Sequence, residues 1–130
     1  MTHRLLVSTG LLLLALPLTA CGSSRDVEVT GDVSAASSVT VSGPVAVQFF
    51  DVIDQEKPEQ VHAIKLDTPS AFEEKVALEG DTVLIRAIND SDGNGACSAG
   101  EPWAEVSAPI ADDDKVNVAV VLKAQPCPAE

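Results

Sequence analysis

From residue 27 onward, apolar side chains fall at every second position in short runs separated by turn residues. Val27, Val29 and Val33 alternate with polar neighbours, and Gly31 stands at the intervening step. A period of two puts one face in a core and the other in solvent, the pattern of a strand. "SAASS" breaks the run, and "VTVSGP" brings a Gly-Pro turn before "VAVQFFDV". In that segment Val45, Val47 and Phe49 share one face, and Ala46, Gln48 and Phe50 the other. Beyond the charged loop "DQEKPEQ", "VHAIKL" predicts another strand, and "AFEEKV" a short one after the Thr68-Pro69-Ser70 turn. "EGD" at 79–81 marks a further turn. "TVLIRAIND" is apolar on both faces except at Arg86, as expected of a central strand. "WAEVSAP" and "DDDKVNVAVVLKA" follow, the latter with Val116, Val118, Val120 and Leu122 in clean alternation.

About seven short strands spaced by turn signals predict an all-β fold, an antiparallel seven-stranded β-sandwich. "SAFEEKVALEG" also fits a helix, but its length and flanking turns favour a strand. With no tyrosine, three phenylalanines and one tryptophan, the core must be built from valine, isoleucine, leucine and alanine.

The N-terminus changes the picture. "MTHRLLVSTGLLLLALPLTAC" has a basic start at Arg4, a short apolar run and small residues before Cys21, the layout of a cleaved secretory leader. Its apolar run is shorter than the ~20 residues a membrane span needs. The last four residues, "LTAC", resemble the lipobox of bacterial lipoproteins. The alternative is an ordinary cleaved leader with an incidental cysteine. The resemblance implies that residues 1–20 are removed, that Cys21 carries the lipid, and that several acyl chains anchor the protein. Gly22 after the cysteine implies the outer membrane over the inner one. Residues 21–26 then read as a polar tether, and 27–130 as one sandwich domain. With Cys21 lipidated, Cys97 and Cys127 remain in an oxidising compartment, either as a disulfide or as two free thiols.

The chain carries 8 basic and 20 acidic residues, a net charge of −12, and loss of Arg4 makes the mature balance near −13. So acidic a chain is not suited to nucleic acid or anionic head groups; it attracts cations.

Most of the acidic chemistry worth pursuing lies in "NDSDGNGACSAGEPW". The calcium-loop pattern D-x-[DN]-x-[DN]-G-x5-E fits all twelve positions. Asp90, Asp92 and Asn94 take the first three ligand positions, and Gly95 the glycine. Ala96 offers a backbone carbonyl, Ser98 a hydroxyl, and Glu101 the closing bidentate carboxylate. Calcium takes six to eight hard oxygens at irregular angles, which alternating ligands on a tight loop deliver. Zinc is disfavoured by the absence of histidine from the loop. The competing reading is an inert hairpin turn, because Asp-Gly and Asn-Gly are strong turn formers. Cys97 falls between inward-facing positions, which turns it away from the ion and toward Cys127. Trp103 then reads as a cover for one end of the sandwich, the alternative being a sugar platform.

"GPVAVQFFD", then "AFEEKVALEGDTVLIRAINDSDGNGACSAGEPW", then the valine-rich last strand resemble transthyretin-like (prealbumin-like) sandwich domains of secreted proteins and lipoproteins. Thr82 stands where that family usually has tyrosine. The loop is also similar to those of calcium-binding B-type repeats in Gram-positive adhesins. The resemblance implies a transthyretin-like or Ig-like sandwich with a structural calcium ion. It does not carry over 5-hydroxyisourate hydrolysis, whose histidines and "Y-R-G-S" terminus are missing from a chain ending "QPCPAE".

Residues for catalysis are sparse. His62 is the one histidine of the mature chain and falls on the parity of Ile64 and Leu66, the place of a partly buried structural residue. No serine or cysteine sits in a nucleophile motif. Glu73-Glu74 and Asp112–Asp114 read as solvated turns. The sequence therefore predicts a non-catalytic, envelope-anchored accessory or binding module that meets an envelope protein or a glycan. The alternative is a transthyretin-like carrier of a small ligand, at an oligomer interface.

Overall fold

The computed structural model describes residues 23–129; the leader, Cys21 and Gly22 lie outside the described residues. Seven strands follow one another: β1 (Arg25–Ala35), β2 (Val45–Asp51), β3 (Glu59–Leu66), β4 (Ala71–Leu78), β5 (Thr82–Asn89), β6 (Trp103–Pro109) and β7 (Lys115–Leu122). They form a three-stranded sheet in the order β4-β1-β7 and a four-stranded sheet in the order β3-β2-β5-β6. The two pack face to face as a β-sandwich, and all described regular structure is strand.

Two expectations are corrected. The first strand begins at Arg25, so the last two residues assigned to the tether belong to β1. The sandwich is also not wholly antiparallel: β1 pairs with β7 in parallel, Glu28 with Lys115 through Ala35 with Leu122. Alternation determines which face of a strand is buried, but not the direction of its neighbour. That direction depends on how often the chain crosses between sheets. "SAFEEKVALEG" is strand, with Phe72, Val76 and Leu78 buried along β4. β5 lies inside its sheet, hydrogen-bonded to β2 and to β6, in keeping with its apolar character on both faces.

Alternating positions of both sheets meet in one core. Val27, Val29, Val116, Val118, Val120 and Leu122 face Val45, Val47, Phe49, Val83 and Ile85. Phe49 and Phe72 meet edge to face with ring centroids 5.8 Å apart, the preferred geometry for an aromatic pair. Gly31 makes this possible, because a Cβ there would stand 2.4 Å from the Phe72 ring.

The antiparallel β2–β5 pair runs the length of the four-stranded sheet, with Asp51 opposite Val83 at one end and Val45 opposite Asn89 at the other. Asp51 is buried, and its two carboxylate oxygens accept the N–H groups of Glu79 (2.8 Å) and Gly80 (2.9 Å). It thereby closes the β4–β5 turn.

The position expected for Trp103 is also corrected. It does not plug an end of the sandwich: it alternates with the core-facing Ala104 and sits beneath the C-terminal tail. Its backbone exchanges two hydrogen bonds with Lys123 (3.1 and 3.2 Å), and its indole N–H donates to the Pro126 carbonyl (2.8 Å). A buried indole needs such a partner, and the tail supplies it.

Candidate functional site

The long acidic loop leaves the sandwich at the end of β5 and returns at β6, and its stem is tied before the loop begins. Asn89 is buried and donates its side-chain amide to the carbonyls of Ser42 (3.0 Å) and Pro44 (3.2 Å). Its backbone N–H bonds the Pro102 carbonyl at 2.8 Å, and that of Asp90 bonds the Pro44 carbonyl at 3.0 Å. The loop thus springs from a fixed base on β2 and β5.

Inside the loop, short polar side chains bend the backbone around themselves. Asp90 is buried, and its carboxylate accepts the N–H groups of Asn94 (3.1 Å) and Gly95 (2.9 Å). Gly95 has φ +74°, a conformation that side-chain-bearing residues rarely adopt and that glycine takes without strain. Asp92 accepts from the Asn94 N–H (3.2 Å) and from the Ser98 hydroxyl (2.7 Å). The Ser98 hydroxyl, followed by the Asn94 N–H, holds the Asp92 carboxyl below the usual carboxylate range. Glu101, also buried, reaches back across the loop to accept the N–H of Ser98 (2.8 Å), the Ser91 hydroxyl (3.2 Å) and the N–H of Asp92 (3.4 Å).

Three of the predicted ligands are brought together: one carboxylate oxygen each from Asp90, Asp92 and Glu101 lie within 4.8 Å of one another. The other three take part as hydrogen-bond partners. The Asn94 side chain accepts the Ala96 N–H (2.9 Å) and donates to Ser98 Oγ (3.0 Å). Like charges this close repel. The N–H groups offset this repulsion in part, and a carboxylate has lone pairs left after one bond to each oxygen. The donor set is hard oxygen, suited to calcium and not to zinc.

Cys97 and Cys127 are joined in a disulfide, with Cα atoms 5.7 Å apart. The bond ties the far side of the loop to the tail that covers Trp103. On the chain-entropy argument, closing 30 residues contributes about 3.5 kcal/mol. Gln48 adds a third tie, its amide donating to the Gly95 carbonyl at 2.8 Å from the outer face of β2.

The other residues singled out by sequence lie elsewhere. His62 sits on β3 with its Nε2 3.3 Å from the Glu74 carboxylate and its ring 5.4 Å from that of Phe49. Sequence reasoning missed Arg86 as an organising residue. Its guanidinium lies over the rings of Phe50 (5.0 Å) and Trp103 (5.8 Å) and pairs with Glu105 at 3.1 Å. The available signal was its charge, alone in an otherwise apolar strand. Asn89 was missed as well, although an asparagine ending a strand is a common device for fixing a turn.

No protein-family model, curated protein or solved structure matches this chain. What is shown of its architecture is a seven-stranded, two-sheet β-sandwich.

Proposed function

We propose that this protein is an envelope-anchored lipoprotein whose single sandwich domain, of the transthyretin-like or Ig-like kind, serves as a non-catalytic binding module. In this reading Cys21 carries the lipid and holds the protein at the outer membrane. The loop takes a structural calcium ion through Asp90, Asp92 and Glu101, with Asn94, the Ala96 carbonyl and Ser98 as the remaining donors. The ion stiffens the loop and performs no chemistry.

The observation that supports the reading best is the convergence of the three carboxylates within 4.8 Å in a loop tied down at its stem and by a disulfide. Each of the three carboxylates also accepts hydrogen bonds inside the loop, which leaves their shared negative charge to be offset. The loop gains cohesion from one divalent cation. A disulfide is also the usual mark of a compartment outside the cytosol, in keeping with a leader and a lipobox.

Calorimetry with Ca²⁺ against EDTA tests the ion, with a dissociation constant expected in the extracellular range, roughly 10⁻⁴–10⁻³ M. An unchanged melting temperature at millimolar Ca²⁺ would remove it. Detergent partition and intact mass of the wild type beside Cys21→Ser test the anchor, which requires acyl mass on the wild type alone.

A further inference from the structure

The outer face of the four-stranded sheet carries an open groove that none of the preceding roles uses. It consists of two adjoining depressions, of about 480 and 310 Å³, that share Gln48, Gln60 and Gly95. One runs toward Lys65 on β3, the other toward Phe50 and Arg86 on β2 and β5. The acidic loop, from Gly93 to Cys97, forms the wall along both. Volumes of this size suit a bound molecule. Two in a row, open to solvent, suit a chain of units better than one compact ligand.

The lining chemistry narrows the class. The chain has a net charge of −12, yet in the half of the groove near Phe50 charge is matched from within, and Lys65 stands exposed at the far end. Arg86 is paired with Glu105, and the Asp90 carboxylate is engaged by two loop N–H groups. The amides along it are Gln48, held in place by its bond to the Gly95 carbonyl, and the exposed Gln60, while the Asn94 amide is spent within the loop. Phe50 adds a half-buried ring, steadied by the Arg86 guanidinium stacked at 5.0 Å. Primary amides donate and accept in one plane, as paired hydroxyls require. An aromatic ring offers a surface for the C–H face of a sugar ring. Charged ligands find no free counter-charge in the half near Phe50.

We infer that this groove binds a neutral oligosaccharide, with Phe50 as the stacking residue and Gln48 and Gln60 as the hydroxyl-reading residues. The inference rests on the binding-module reading and supplies the class of its ligand. The disulfide matters to it directly, since Cys97 belongs to the wall.

The test is an NMR titration of the purified protein, in Ca²⁺ and in EDTA, with chito- and malto-oligosaccharides and with oligogalacturonate as the charged control. A neutral series should shift the amide signals of Gln48, Gln60 and Gly95. Phe50→Ala should then weaken binding about tenfold, the loss typical of an aromatic anchor. Gln60→Ala, at an exposed position, should weaken it less while leaving the melting temperature unchanged. The inference is overturned if neither neutral series moves those signals at millimolar concentration. It is equally overturned if Phe50→Ala binds as the wild type does, or if oligogalacturonate binds as well as the neutral chains. In any of these cases a calcium-dependent melting shift and the lipid on Cys21 would still stand or fall separately.

Discussion

The two ends of the β2–β5 pair solve the same problem differently. At one end Asp51, a single buried carboxylate, accepts two backbone N–H groups of the β4–β5 turn and has no acidic companion in its hydrogen-bond set. At the other, Asp90 does the same for its own loop, but Asp92 and Glu101 crowd within 4.8 Å of it. One acid is enough to hold a turn. The second end gathers three carboxylates where the first uses one, and the proposed cation is what would offset the added charge.

The comparison can be broken in several ways. The largest effect is expected from Cys97→Ala with Cys127→Ala. The loop end should lose about 3.5 kcal/mol of stability in urea unfolding. A negligible loss would mean that the hydrogen-bonded stem alone holds the loop. Next, Asp51→Ala strands two part-buried N–H groups and should destabilise by about 3 kcal/mol, at roughly 1.5 kcal/mol per charge-assisted bond. Because no second carboxylate shares Asp51's hydrogen-bond set, the loss should be the same in Ca²⁺ and in EDTA. A calcium-dependent difference would show that the ends are coupled. A smaller gain is expected for the wild type on adding calcium, about 1.4 kcal/mol at ten times the dissociation constant. Asp51→Asn should keep this gain, whereas Glu101→Gln should abolish it. The smallest effect belongs to Asp92→Asn, which is exposed. In EDTA its melting temperature should match the wild type, and in Ca²⁺ it should fail to rise. Equal calcium responses in Asp92→Asn and the wild type would reduce the loop to an ordinary turn.

Much of this architecture was legible in the chain because alternation is a local signal. The runs around Val45, Thr82, Trp103 and Val116 mark their strands within a residue or two. Even the ambiguous "SAFEEKVALEG" resolves once Phe72, Val76 and Leu78 are seen to need one buried face. Long-range features were not legible. Asp51 acts on residues 28 and 29 positions away, and no local pattern distinguishes it from a surface aspartate at a strand end. Trp103 was misplaced for the same reason, because what covers it is a tail some 23 residues further on. Within the loop, ligand spacing was readable. The ties that hold the loop, from Asn89 to Ser42 and Pro44 and from Gln48 to Gly95, came only with the fold.

The parallel pairing of β1 with β7 has a mechanical side. β1 lies between two partners, with eight paired positions along β4 and eight along β7. Tension arriving through the chain ahead of Arg25 runs along the strand axis. It must slide β1 past both neighbours at once, loading the rungs together instead of opening them singly. Because β7 runs the same way, a pull on the C-terminal tail in the opposite sense loads the same interface in shear. A domain held by a tether at its first strand would take force along its most resistant direction.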